Sequence, residues 1–490
     1  MNTPIVRIFA LLLLLFGSLV YFTSKWSVFD AEALEEKTQN RRPLIAEQQI
    51  PRGDIRTADG VLVAESLPQG GRNPVFVRRY PQGSLFGHPV GYSFVDVGRS
   101  EIELSENDLL IGEENEFETI IDQLRNVPQE GADITLTIDS EAQRIATQGL
   151  ENAIAANAPT PGIGGAVVAI EPDTGAVRTM ASSPGYDPNT VEAPGEFSRL
   201  NDAQGAPLLN RPTQSVYPPG STMKVVTAAA GLDSGEIQPD TVINADSPKE
   251  ISGVPLENSG GQSFGDIPAT DALTFSVNTY WAQVGERLGD ETMVEYMKRF
   301  GFYSDPELDY PGDQMAPSGV ISEGELVEDG FDVGRVAIGQ GGEEGQALAT
   351  AMQMAQVAGT VANGGVLMEP TFLQEAQDPD GRTIEELDPD EQNRVISEEA
   401  ASELTEMMTR VTQEGTASGL SVAGADEFAG KTGTAEINIE DRLNQPWFIA
   451  FAPAQDPQIA VAATMERCTG CFGGEVAGPI ATAVMDSLLE

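Results

Sequence analysis

The 490-residue sequence contains one histidine, two cysteines and six lysines. Each shortage closes off a kind of chemistry. The only histidine, His88, lies far in sequence from every serine-centred motif, which excludes a Ser-His-Asp triad. Zinc needs about four ligands, and Cys468 and Cys471 stand together in one Cys-Thr-Gly-Cys segment with no histidine near them, so neither a metal centre nor a cofactor is expected. Outside the cytoplasm this pair reads as a small disulfide loop, with two free thiols as the alternative. Positive charge is scarce too: 28 basic against 76 acidic residues give a formal charge of −48. A surface so acidic repels nucleic acid and anionic lipid headgroups, so nucleic acid is not a partner. The acidic stretches Glu113–Glu118, Glu323–Asp332 and Asp378–Asp390 read as solvated surface and loops.

Long apolar runs are also rare, with one exception. Ile8 to Phe22 is apolar, ends in Tyr21 and Phe22 and is followed by Trp26. It reads as a single-pass membrane helix, slightly shorter than the roughly 20 residues a span prefers. Arg7 precedes it, whereas Lys25 is outnumbered by Asp30, Glu32, Glu35 and Glu36, which places the bulk of the chain outside the cytoplasm. A cleaved signal peptide ending near Ala31 or Ala33 is the competing reading. The expected organisation is an anchor over 1–26, a non-catalytic, strand-rich pedestal over 27–140 and a catalytic domain over 141–490.

In the pedestal, Pro51–Ile55 and Thr57–Ala64 read as strands around an Asp-Gly turn. A helix over Gln143–Ala156 precedes a hairpin in which Gly165–Glu171 is nearly all apolar, Pro172–Gly175 turns and Ala176–Ala181 returns. Helices are predicted from Ser221 to Leu232 and over Asp271–Leu288, Ala347–Ala362 and Glu398–Gln413. Strands Phe428–Ile437, Trp447–Ala452 and Ile459–Met465 and a last helix, Ala477–Leu489, close the chain. The pattern predicts an α/β fold of the α+β kind, one antiparallel sheet sandwiched by helices.

Two of the six lysines fall in short fragments that carry chemistry. In Ser221-Thr222-Met223-Lys224, residues three apart share a helix face, so the amine reaches the hydroxyl. A buried lysine beside a second cation loses its proton and becomes a base for the serine. Alone, the fragment also fits a capping serine and a solvated lysine. Ser276-Val277-Asn278 by itself reads as two polar residues at a helix or loop edge. In Lys431-Thr432-Gly433-Thr434, strand alternation points Lys431 and Gly433 to one face, and an inward lysine with hydroxyls beside it suits a peptide carboxylate. The bland alternative is a protective edge lysine. A P-loop reading fails because Gly424 and Gly430-Lys431-Thr432 are one residue too far apart. Gly339 to Gly345 likewise misses the dinucleotide pattern.

Taken in this order, the three fragments match a signature of penicillin-binding proteins and related β-lactamases. The chain resembles the monofunctional, membrane-anchored (class B) penicillin-binding transpeptidases, and most nearly their actinobacterial cell-division members. The resemblance runs from Arg52-Gly53-x-Ile55 through Leu136-Thr137-Ile138-Asp139, Tyr217-Pro218-Pro219-Gly220-Ser221 and Gly339-Gln340-Gly341 to Trp447–Pro453. It implies that Ser221 is the nucleophile on the D-Ala-D-Ala bond of a peptidoglycan stem peptide and Lys224 its base. Ser276 would relay a proton to the leaving amine and Asn278 would hold the donor amide. Lys431, Thr432, Gly433 and Thr434 would bind the terminal carboxylate, with the backbone N–H groups of Ser221 and Thr434 as oxyanion hole. β-Lactams are then covalent inhibitors, and division or lipid II polymerase proteins are the implied partners. After Gly341 the chain departs from the family, reading Glu343-Glu344-Gly345-Gln346 where a Ser or Thr followed by proline is common. Glu196–Asn201 faintly resembles the deacylating segment of some β-lactamases but precedes the nucleophile, so efficient β-lactam hydrolysis is not expected. A β-lactam sensor, a catalytically silent division scaffold and a D,D-carboxypeptidase are the rival readings.

Overall fold

The computed structural model of the protein describes residues 3–25, 47–71, 74–112, 129–342, 344–438 and 442–489. The apolar run near the start forms helix α1 (Thr3–Ser24). Its described side chains, 7–9 and 11–22, are nearly all exposed, Leu11 to Leu15 at 56–69%. Among the described residues no helix is long and apolar enough to cross a membrane. Trp26, Asp30, Glu32, Glu35, Glu36, the alanines Ala31 and Ala33, Glu343 and the acidic run Glu113–Glu118 lie outside the described residues.

Strands β1 (Ile55–Arg56) and β2 (Leu62–Gln69) flank the anticipated turn, where the Gly60 N–H donates to the Thr57 carbonyl at 2.8 Å. Strands β3 (Val75–Arg79) and β4 (Asp133–Leu136) extend the same sheet. Helix α2 (Ser140–Asn157) begins where the Asp139 carboxylate accepts the Ala142 N–H at 2.8 Å, satisfying an otherwise orphaned donor. The predicted hairpin follows as β5 (Gly165–Ile170) and β6 (Val177–Ser183). Helix α3 (Met223–Asp233) is buried from Met223 through Leu232. Its valines, alanines and glycine present no polar face, as a helix surrounded by protein requires.

The single helix predicted over Asp271–Leu288 is two, α4 (Ala269–Thr274) and α5 (Asn278–Arg299). Between them Ser276 has a φ of 58°. The Ser276 N–H reaches the Leu273 carbonyl and the Val277 N–H the Ala272 carbonyl, the paired bonds that end a helix through a left-handed residue. Glycine normally marks that stop. With serine there, the sequence shows no break.

Helix α6 (Ala351–Ala362) starts later than predicted because Thr350 caps it, accepting from the Gln353 N–H, while Gly345–Leu348 pairs as a strand with Gly319–Ser322. Strands β7 (Leu373–Gln377) and β8 (Thr383–Glu386) belong to the N-terminal sheet, whose order is β8-β7-β4-β1-β2-β3. A hairpin from the C-terminal half of the chain thus completes the sheet begun by the N-terminal strands. Helix α7 (Glu398–Gln413) buries Leu404, Met407, Met408 and Val411, the apolar stripe read from the sequence.

The central sheet is closed by β9 (Ala429–Asn438), β10 (Leu443–Ala452) and β11 (Ile459–Met465), and the chain ends in α8 (Gly473–Leu489). Its order is β9-β10-β11-β5-β6, antiparallel throughout. Strands β5 and β11 are buried at every residue because both faces are covered. Leu150 of α2 lies against Gly165 on one face and Gly359 of α6 against Ile170 and Ala460 on the other. Strand β9 is an edge, so one side of its backbone is open beside the start of α3.

Candidate active site

Ser221 lies in the 3-10 turn Gly220–Thr222, which runs directly into α3. Lys224 follows within the first turn, and its Nζ stands 3.0 Å from Ser221 Oγ. The same nitrogen lies 2.7 Å from the Ser276 carbonyl, 2.7 Å from Asn278 Oδ1 and 3.3 Å from Ser276 Oγ. Here the left-handed conformation of Ser276 has a use. It turns that residue's carbonyl toward one lysine and its hydroxyl toward the other, since Lys431 Nζ donates to Ser276 Oγ at 2.8 Å and to the Thr432 carbonyl at 2.9 Å. A non-glycine residue in this region costs about 1–2 kcal/mol, and such strain concentrates at working sites.

Both lysines are completely buried, and among the described residues no carboxylate neutralises either. Burial, and then the charge of Lys431, holds Lys224 well below the ordinary lysine range. Burial brings Lys431 down to about 7. The donor geometry around Lys224 follows from that. A neutral amine has two hydrogens and one lone pair. The Ser276 carbonyl and Asn278 Oδ1 can only accept, so they take the two hydrogens and leave the lone pair facing the Ser221 hydroxyl.

The opposite wall is β9, held close by the absence of side chains. A β-carbon on Gly433 would lie 2.7 Å from the Pro219 carbonyl and 2.9 Å from Thr222 Cγ2. Behind Ser221, the Gly220 N–H donates to the Gly339 carbonyl at 3.0 Å, and a β-carbon on Gly339 would meet Gly220 O at 2.0 Å. Trp447 Nε1 donates to the Pro218 carbonyl at 2.9 Å and fastens the Pro-Pro-Gly turn to the sheet. Thr434 Oγ1 accepts the Gly473 N–H at 3.2 Å, and Thr432 Oγ1 lies 2.6 Å from Thr416 Oγ1.

All eight residues singled out in the sequence therefore lie in or beside one cleft: Ser221, Lys224, Ser276, Asn278, Lys431, Thr432, Gly433 and Thr434. Sequence reasoning missed Thr416 and Gly473, which sit in loops without a recognisable motif, and the packing role of Gly339. His88 is elsewhere, buried beside Tyr186 with Nε2 2.9 Å from the Pro207 carbonyl; burial lowers it to about 4. Glu196 pairs with Arg199 on its own short helix. Cys468 and Cys471 are joined as a disulfide.

Two family models match the chain: the penicillin binding protein transpeptidase domain over residues 165–486, and the penicillin binding protein A dimerisation domain over residues 52–134. The peptidoglycan D,D-transpeptidase PbpA of Mycolicibacterium smegmatis is 32% identical, over 100% of this chain and 99% of that protein. PbpA of Mycobacterium tuberculosis is 31% identical, again over 100% and 99%. The solved penicillin G acyl-enzyme complex of penicillin-binding protein A from M. tuberculosis has the same fold at a TM-score of 0.77, with 31% identity over 90% of this chain and 100% of that one.

Proposed function

This chain belongs to the penicillin-binding protein transpeptidases, and on that premise we propose that it cross-links peptidoglycan stem peptides through an acyl-enzyme on Ser221. The observation that carries the proposal is the amine of Lys224, buried 3.0 Å from Ser221 Oγ with two obligate acceptors beside it. In the first step Ser221 Oγ bonds to the penultimate D-alanine carbonyl carbon while its proton passes to Lys224 Nζ. Donors aimed at the developing oxyanion stabilise this step most. The backbone N–H groups of Ser221 and Thr434 serve there, a role favoured by Gly220 packing directly against the Thr434–Ala435 peptide.

The C–N bond then breaks, and Ser276 Oγ, within reach of both lysines, passes a proton to the departing amine. Lys431 and the threonine hydroxyls hold the terminal carboxylate, and Asn278 the donor amide. An amine from a neighbouring stem attacks the ester and regenerates the serine. A β-lactam follows the first half of this path, and its opened ring stays tethered where the amine would leave. The exposed leucines of α1 support an anchor that keeps the catalytic domain outside the cytoplasm. The strands to be joined come from a lipid II polymerase, at division sites among others.

The test is fluorescent penicillin labelling of the protein and of Ser221→Ala, followed by mass and time. A stable adduct on Ser221 that is absent from the variant is the expected result. An adduct that persists in Ser221→Ala, or none on the folded wild type, overturns the reading.

A further inference from the structure

Thr416 lies in the loop between α7 and β9, more than a hundred residues from the nucleophile and outside every motif. It is exposed, yet its hydroxyl is 2.6 Å from that of Thr432 in the strand assigned to the substrate carboxylate. Its backbone is tied to the other wall of the cleft: the Thr416 N–H donates to the carbonyl of Thr274, the last residue of α4, just before Ser276. Its carbonyl faces Gly474 at the start of α8. One residue thus touches the three elements that frame the carboxylate end of the site.

Two hydroxyls this close share one hydrogen bond, in which one donates and the other accepts. The accepting hydroxyl still has its own proton to give. A carboxylate is an acceptor only, and a donor that is itself accepting a hydrogen bond is polarised and donates more strongly. We propose that Thr416 is a positioning residue for the donor carboxylate, giving its proton to Thr432 so that the Thr432 hydroxyl is turned and strengthened as a donor to the peptide's terminal carboxylate. The inference rests on the acyl-transfer reading above and adds to it a residue that selects substrates ending in a free carboxylate.

The experiment compares acylation of the full protein by benzylpenicillin and by its methyl ester, which lacks the charged acceptor. Losing a hydrogen bond of this kind costs about tenfold. Thr416→Val, which keeps the shape and loses the hydroxyl, is expected to lower the ratio of the two rate constants about tenfold, and Thr416→Ser to restore it. Thr416→Ala serves as a second hydroxyl-free variant should the valine fail to fold. An unchanged ratio, or equal slowing with both reagents, overturns the inference and leaves the acyl-transfer reading intact. A wild-type protein that reacts with neither overturns both.

Discussion

Two of the buried clusters of charge in this chain are treated in opposite ways. In the pedestal, Glu103 is fully buried between Arg52 and Arg78, whose Nε atoms donate to its two oxygens at 2.8 and 2.6 Å; Tyr80 adds a hydroxyl at 3.1 Å. Burial alone would raise this carboxyl, but Arg78 and then Arg52 hold it at about 2. In the catalytic cleft, Lys224 and Lys431 are as deeply buried, yet among the described residues no carboxylate pairs with either. A buried ion with its counterions is locked in one protonation state and joins segments that must not move. A buried cation without one gives up its proton and becomes a base. The first cluster ties Arg52 to two successive short helices, Glu101–Ser105 through Glu103 and Asn107–Ile111 through Asn107, whereas the lysines of the cleft, without a described counterion, are reactive.

This contrast can be broken by exchanging its consequences. Lys224→Met removes the base and is expected to slow penicillin acylation about a thousandfold, with a melting temperature close to that of the wild type; a stopped-flow labelling rate and a thermal scan decide it. Glu103→Gln should do the reverse. Stranding two buried guanidinium groups costs roughly 3–5 kcal/mol, read from denaturant midpoints, while the molecules that remain folded are labelled at the wild-type rate.

The pH dependence separates the clusters further. Glu103 is depressed in the folded state, so its stabilisation is present above the unfolded carboxylate value and is lost as pH falls toward about 2. Lys431 is depressed to about 7, so the folded protein binds fewer protons than the unfolded chain between there and the ordinary lysine value. Stability therefore rises as pH increases through that window, by a few kcal/mol in order of magnitude. Lys431→Met should flatten the alkaline rise and Glu103→Gln the acid fall. If either variant alters the opposite limb instead, the assignment is wrong.

The smallest effect concerns strain. Ser276→Gly suits the φ of 58° and should stabilise the fold by about 1 kcal/mol. It should also lower the acylation rate through loss of the relay hydroxyl, and Ser276→Ala should lower the rate without the gain in stability. A Ser276→Gly protein that is less stable than the alanine variant would show that the left-handed turn carries no strain.

The sequence was informative wherever a residue type was scarce or a period regular. Lys224 and Lys431 stood out because lysine is rare, β5, β6 and β11 because their apolar runs end at turn residues, and α7 through its stripe of Leu404, Met407, Met408 and Val411. It was silent where the backbone departs from its usual marker. The break at Ser276 carries serine where a helix stop favours glycine. The late start of α6 depends on a cap by Thr350, and the pedestal sheet takes β7 and β8 from a distant stretch that no local pattern assigns to it. Thr416 has no motif, because its role depends on a neighbour brought beside it by folding.

By itself, then, the sequence determined the reagents: a serine with a lysine three residues on, a second scarce lysine in a strand, and a single histidine too far away in sequence to do the work instead. Only the tertiary structure decided their states. An amine is a base or a cation according to what surrounds it, and the burial of Lys224 and the placing of Lys431 near it come from contacts between segments far apart in sequence. The same holds for Glu103, one acid among 76 until folding sets it between two arginines.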